Sequence, residues 1–360
     1  AGWDALYDDC PWATVFQSRA FVTTWYNTYN TKYHPIIVME EEGPELTGLL
    51  AMAMNKEGLI FGAGEDQSEY QVWLTGVNNG EDFIKKALDE ICRHFSGHRI
   101  QLKYIPGKAP MKWTKENTTF KRNCFLRVFK QPLIKIDNVH ITNELKKKNR
   151  REKINRLKRM GELKFERITD YTIFSSIIDE LAIQYDFRQL AMYNKGFFLD
   201  DPLRKLFLLN LFDKNVLHAT VLRLNEEIIA SNVGTTGKNW VHLQGINTHA
   251  ASFAKYSPGI LHFLLLCKLL SEEGIEVFDL TPGEDSYKDN IASDYTISYK
   301  LIISNLPEVI TYRTRLILIK QLKHFSSALG IRPIKLSNAK RSALMLKEKF
   351  VHFKQQEATF

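Results

Sequence analysis

The sequence predicts an α/β (α+β) protein: two tandem units, each a mixed, mostly antiparallel sheet flanked by helices, then a helical C-terminal extension. Three observations predict this. Asn239 to Lys288 reads as strand, loop, helix, strand and acidic turn, with Tyr256-Ser257-Pro258-Gly259 at the mouth of the helix. Leu217–Leu224, Glu227–Thr235 and Asn239–Ile246 form a meander whose turns, Asn225-Glu226 and Thr236-Gly237-Lys238, are hairpin-like. Residues 1–132 repeat the same grammar of early helix, meander, helix and strand, although their sequence self-similarity is weak.

The first unit, 1–132, opens with an aromatic-rich helix at Phe16–Tyr29. Strands are expected at Pro35–Glu40, Glu45–Met54 and Tyr70–Leu74, a helix at Glu81–Phe95 and a strand at Arg99–Tyr104. Pro106, Gly107 and Pro110 begin an irregular connection. The second unit, 133–310, starts with the strand Pro132–Ile136 and a basic helix Thr142–Met160, which Gly161 stops. Strand Leu163–Ile168 follows, then helix Thr172–Tyr185, whose stripe Ile173, Phe174, Ile177, Ile178, Leu181 and Tyr185 faces a core. Asp201-Pro202 supplies an N-cap and an N1 proline for the next helix. After the meander and the Ser-Pro-Gly helix, strand Thr296–Ser304 closes the unit, and 311–360 reads as the helical extension.

Composition places the 360-residue chain in the soluble globular class, with 44% hydrophobic and 25% charged residues. No apolar run reaches the ~18 residues of a membrane span. Ala1-Gly2-Trp3-Asp4 lacks a basic, apolar signal start. Cys10, Cys92, Cys124 and Cys267 form no C-x-x-C pair, which fits free thiols and a cytoplasmic location better than a disulfide framework. No His/Asp cluster of metal-binding type appears, so no metal is expected.

The net charge of +8 is local. Of 49 Lys or Arg and 41 Asp or Glu, nine bases and one acid lie in Lys146–Arg159, and the rest of the chain holds 40 of each sign. That segment has three readings: a solvated helix with one thin apolar docking stripe, a contact for an anionic ligand, or attraction to an anionic membrane surface. Aromatics do not interleave with its charges, which argues against single-strand stacking, and no sequence-specific nucleic-acid partner is expected.

At Tyr256-Ser257-Pro258-Gly259-Ile260-Leu261 a loop turns into a helix whose first N–H groups lack intrahelical partners, a place suited to phosphate. Asp279-Leu280-Thr281-Pro282-Gly283-Glu284-Asp285-Ser286-Tyr287-Lys288 follows the next strand, where α/β sheets hold ligands. The corresponding stretch of the first unit, Gly76–Asp82, lacks such a loop.

The basic segment followed by Gly161-Glu162-Leu163-Lys164-Phe165, then Tyr256–Gly259, Asp279 and Gly283-Glu284-x-x-Tyr287-Lys288, resembles the tandem-GNAT acyltransferases of the CelD-like (cellulose-biosynthesis-type) group, related to the Fem aminoacyltransferases. The likeness covers residues 133–305 clearly and 1–132 by arrangement. It implies acetyl-CoA or another acyl-CoA as donor, its pyrophosphate at the Tyr256–Leu261 mouth with Lys288 as a further phosphate contact. GNAT proteins carry a glycine-rich Gln/Arg-x-x-Gly-x-Gly/Ala loop there, and this chain does not; Fem-like relatives draw on aminoacyl-tRNA. The acceptor implied is a polar amine such as an amino sugar or surface-polysaccharide precursor, in a cleft that the first unit shapes. Transfer would be direct, with no covalent enzyme intermediate. Asp279 and Glu284 are candidates to hold or deprotonate the amine, or else Asp279 caps a turn. Tyr287 is a candidate proton donor to sulfur, or a packing residue. Lys288 could instead pair with Glu284 along a helix. His242 and His249 flank the last meander strand, and either could relay protons or be structural, with His249 the catalytic candidate. A catalytically idle GNAT-fold binding protein is the reading from another class. Oligomeric state is not legible.

Overall fold

The computed structural model describes residues 2–115, 119–283 and 286–328. In chain order the elements are α1 (Gly2–Asp9), α2 (Arg19–Tyr29), β1 (His34–Glu42), β2 (Glu45–Met54), β3 (Ile60–Gly62), β4 (Leu74–Thr75), α3 (Gly80–His94), β5 (Ile100–Pro106), α4 (Thr119–Asn123) and β6 (Cys124–Lys135). There follow α5 (Asn138–Lys146), α6 (Lys148–Lys158), β7 (Leu163–Ile168), α7 (Tyr171–Tyr193), α8 (Leu203–Asp213), β8 (Leu217–Leu224), β9 (Glu227–Gly237) and β10 (Trp240–His249). The last are α9 (Pro258–Glu272), β11 (Val277–Asp279), α10 (Ser286–Ile291), β12 (Asp294–Ile303) and α11 (Leu306–Ala328). The chain divides into a unit ending at Ser304 and a second beginning at Asn305, whose described part is α11.

One sheet runs through the first unit in the order β1-β2-β3-β5-β12-β6-β11-β10-β9-β8-β7, with β4 on β2. Strand β6 joins its halves: Cys124–Leu133 pairs with β12, and Leu133–Lys135 pairs with β11. Position 132/133 therefore lies inside a strand. Each half contains one parallel pair joined through a helix, as a chain must when it returns to the same sheet edge. In the first half Ile60–Phe61 lies beside Ile100–Gln101, joined through α3; in the second Trp240–His242 lies beside Val277–Asp279, joined through α9.

Local sequence explains the crossover helices. Glu81 and Asp82 occupy the first turn of α3 and Arg93 and His94 its last, matching the helix dipole, while Phe83, Ile84, Ala87, Leu88 and Ile91 bury one stripe. On α9, Pro258 stands at N1, and Leu261, Phe263, Leu266, Cys267 and Leu270 are buried. Helix α7 starts at Asp170, whose side chain accepts from Ile173 N at 2.9 Å, and ends at Asn194 with φ +55°.

Four expectations change. Tyr70–Leu74 is not a strand: only Leu74–Thr75 pairs, and Gln71 bonds to Lys103 of β5 through its backbone N–H and its side-chain oxygen instead. The strand expected at Pro132 starts at Cys124, where Arg127 and Lys130 among the apolar residues hide it. Helix 172–185 continues to Tyr193. The single basic helix is two, broken at Lys147 (ψ 137°), because its apolar residues serve different clusters. Ile141 and Leu145 pack with Phe263 and Leu266 of α9, whereas Leu157 and Ile154 pack with Leu222 and Leu261. A straight helix would not dock both stripes.

His262 of α9 is enclosed, its Nε2 3.1 Å from Thr220 Oγ1 and 3.3 Å from Thr220 O. Burial lowers its pKa from 6.5 to about 3. Between those values the unfolded chain binds the extra proton and the folded chain does not, so stability is full above about pH 6.5 and is lost as the pH falls toward 3. Urea titrations should show this decline, with a shallower slope in His262→Gln. Identical slopes would mean that the buried ring is already charged.

Candidate active site

Strands β10 and β11 pair only from Trp240/Val277 to His242/Asp279. Beyond that point β10 bulges, its register against β9 shifting between His242 and Gly245. Gly245 has φ +138°, and a Cβ there would come within 2.0 Å of Val233 O, so only glycine fits. The strands part, and among the described residues no strand pairs with this edge of β10 beyond His242. A cavity of about 340 Å³ fills the opening, lined by Leu243, Gln244, Gly245 and Asn247 of β10, Thr281 after β11, and Tyr185, Arg188, Gln189 and Met192 of α7. Tyr185, Gln244 and Gly245 also line a second cavity of about 340 Å³ that runs on between α2, α8 and the turn at Asp66-Gln67. Two buried polar atoms of the lining have no partner among the described residues, Thr235 Oγ1 and Asn247 Nδ2. Such atoms call for a ligand or water.

At the end of β10 the chain reaches the α9 mouth. Ser257 takes φ +53°, uncommon for a residue with a side chain, and Pro258 follows. Ile260 N and Leu261 N both donate to Ser257 O, and among the described residues the Gly259 N–H has no hydrogen-bond acceptor. Lys153 of α6 donates from Nζ to Ser257 Oγ at 2.7 Å. One basic helix thus delivers a cation to the mouth. A Cβ on Gly259 would lie 3.4 Å from His249 Nδ1, so this histidine borders the mouth. Burial, helped by Arg188, lowers the pKa of His249. Arg188 reaches across from α7, its Nη1 donating to Asn247 O at 3.2 Å. Of the expected mouth residues, Tyr256 and Ile260 are partly exposed, whereas the Leu261 side chain belongs to the core.

Asp279, at the end of β11, is 0% exposed. Its Oδ2 accepts from Tyr70 OH at 2.6 Å and lies 2.8 Å from His242 Nδ1, while its Oδ1 accepts from Thr281 N at 2.9 Å. Tyr70 comes from the first half, so this carboxylate ties the halves together. Burial pushes the Tyr70 phenol and the nearby Glu69 carboxyl up, Asp279 adding to both shifts. Thr281 stands at φ +62°, a strained conformation for a β-branched residue. Lys288 holds it from the other side: its Nζ, on a side chain 6% exposed, donates to Thr281 O at 3.2 Å and Oγ1 at 3.3 Å.

The sequence candidates therefore fall in two places. Asp279 and Lys288 converge on Thr281 at one wall of the gap, and His249 borders the α9 mouth with Ser257 and Gly259. Glu284 lies outside the described residues, and of Tyr287 only the backbone, in α10, is described. Sequence reasoning missed Tyr185, Arg188, Asn247 and Thr281. The Asp-x-Thr-Pro run at 279–282 is a signal for a carboxylate-held turn; Tyr185 reads as a core position of its helix, and Arg188 lies beyond the helix expected at 172–185.

The first half closes the equivalent gap. Gln71 sits between the ends of β3 and β5: its N–H donates to Lys103 O at 3.1 Å, and its Oε1 accepts from Lys103 N at 2.8 Å. A Cβ on Gly62 would come within 2.6 Å of Gln71 Cβ. At the start of α3, a Cβ on Gly80 would meet Trp12 and Pro110 at 2.8 Å each.

Residues 145–289, the part holding α6, the parted strands and the mouth, match the family model described as an acetyltransferase (GNAT) domain. The chain carries a GNAT-type acyltransferase domain. Solved structures share the fold across both halves. FemX is 9% identical with a TM-score of 0.56, over 86% of this chain and 97% of that one. L-PGS from Bacillus licheniformis is 13% identical with a TM-score of 0.53, over 83% and 95%. The C-terminal domain of a putative lysylphosphatidylglycerol synthetase from Agrobacterium fabrum is 15% identical with a TM-score of 0.53, over 82% and 95%. No curated protein matches the chain. Among the described residues no group of His, Cys, Asp or Glu has metal-binding geometry, and no helix is long and apolar enough to cross a membrane.

Tyr70→Phe removes one of the donors to a buried carboxylate. It should cost about 1–3 kcal/mol in denaturant unfolding. A cost near zero would mean that the Tyr70–Asp279 bond does not tie the halves.

Proposed function

We propose that the protein is an N-acyltransferase that moves an acyl group from acetyl-CoA, or another acyl-CoA, to a polar amine. One observation carries this: the gap between β10 and β11 is open beside a phosphate-ready helix mouth, while its counterpart in the first half is plugged. In this reading the donor phosphates rest on the Gly259 N–H, Ser257 and Lys153, and the thioester lies in the gap. The amine enters from the cavity beyond Tyr185 and attacks the carbonyl. A C–N bond forms, the C–S bond breaks, and the unpaired edge of β10 offers N–H donors for the developing oxyanion.

His249, held neutral by burial, is suited to take the amine proton. Tyr185, which lines both cavities, can return a proton to the leaving thiolate. Asp279 acts by fixing Thr281 and His242, since its oxygens are already engaged. Glu284 and Tyr287 stay as acid–base candidates by their place in the sequence. An amino sugar or surface-polysaccharide precursor is the acceptor class we favour, in a cytoplasmic protein of the CelD-like group.

A second reading, aminoacyl-tRNA as donor, is favoured by the exposed Arg151, Arg156, Lys158 and Arg159 on the helix that sends Lys153 to the mouth. A long polyanion could follow that surface. It is equally suited to an anionic membrane.

Thermal unfolding with acetyl-CoA, CoA and desulfo-CoA tests the donor. At 100 times its dissociation constant, a ligand should add about 2.7 kcal/mol. Gly259→Trp should abolish that stabilisation by blocking the mouth. If no CoA species shifts the transition while aminoacyl-tRNA does, the second reading replaces the first.

A further inference from the structure

The cavity beyond Tyr185 contains a cation that the transfer itself does not require. Arg204, on α8, lines this cavity and is only 9% exposed. Its guanidinium carbon lies 4.9 Å from the ring centroid of Phe197 and 5.9 Å from that of Phe198. Its Nε has no hydrogen-bond partner, and no carboxylate among the described residues forms an ion pair with it. Asp201, one turn earlier, is engaged by Tyr29, Lys32 and Gln67 instead. Of the other charged groups in the lining, Lys103 pairs with Glu69 at 3.6 Å, Lys195 stands exposed at the rim, and Asp66 is the one acid.

The chain works to keep this arrangement. The buried carboxylate of Asp186 accepts from Phe198 N at 3.0 Å and Leu199 N at 2.8 Å, fixing the loop that lays both rings on Arg204. Ring faces offset only part of the cost of taking a guanidinium out of water. An anion with two acceptor oxygens would complete the fork. The apolar parts of the lining, Phe21, Tyr185 and Phe207, suit an apolar body next to that charge.

We infer that the acceptor amine carries a carboxylate or phosphate group, which Arg204 pairs with inside the cavity. This rests on the transferase reading of the cavity. Calorimetric titration with two probe pairs tests it: 4-aminobenzoate against 4-aminobenzamide, and glucosamine 6-phosphate against glucosamine. One anionic member should bind roughly 10- to 100-fold more tightly than its neutral twin, and the pair that does so distinguishes carboxylate from phosphate. Arg204→Met should cancel the preference, and Arg204→Lys should reduce it about tenfold because the planar fork is lost. Circular dichroism reports folding; if Arg204→Met does not fold, the twin comparison in the natural protein and Arg204→Lys decide. Twins of equal affinity, no binding by either pair, or a preference unchanged in Arg204→Lys overturns the inference. Desulfo-CoA stabilisation on the same samples separates the two ideas. If it persists while the preference is absent, only the acceptor inference falls; if it is absent while the preference holds, only the acyl-CoA donor falls.

Discussion

Two strands that run together for three residues and then separate are the constraint on which the rest of this structure depends. Backbone N–H and C=O groups on a strand edge need partners. Where β10 leaves β11, that need is unmet by the sheet, and Gly245 permits the bulge there because no Cβ fits beneath Val233 O. The opening sets the position of Thr281 on one wall, of Tyr185 and Arg188 on another, and of the α9 mouth at the end of β10. Asp279 stabilises the point of separation. It is the last paired residue of β11, and its two oxygens meet a phenol, an imidazole and a backbone N–H.

The two halves show how a repeated arrangement yields one site. Both contain a parallel pair bridged by a helix. In the first, Gln71 satisfies the β5 backbone that separation would expose, and Trp12 and Pro110 fill the start of α3. That half instead contributes walls and charges to the second: Tyr70 to Asp279, and Phe21, Asp66, Gln67 and Lys103 to the cavity that Arg204 lines. Because β6 pairs with strands of both halves, these contributions are held in a continuous sheet.

Charge is arranged on two scales. Outside, the excess of bases is concentrated on α5 and α6, where solvated cations cost little and attract anions over about a Debye length. Inside, Glu69, Asp279, Lys288 and Arg204 are buried; Glu69 pairs with the half-buried Lys103, and Asp279 and Lys288 have polar partners of their own. Lys153 connects the two scales by reaching from the basic helix to Ser257.

The sequence by itself determined the meander, the crossover helices and the Ser-Pro-Gly mouth, because alternation, helical stripes and proline punctuation are local properties. It also marked Asp279 and His249. It did not reveal that β6 begins at Cys124, since Arg127 and Lys130 interrupt the apolar pattern, nor that the basic stretch bends at Lys147. Tertiary structure alone decided that Gln71 closes one gap while the other stays open. It alone placed Tyr70 on Asp279, 209 residues away, and left Arg204 buried against two rings with no ion-paired carboxylate among the described residues. Pairing across such separations depends on how strands are ordered in the sheet, and the periodicity of a segment carries no record of its distant neighbours.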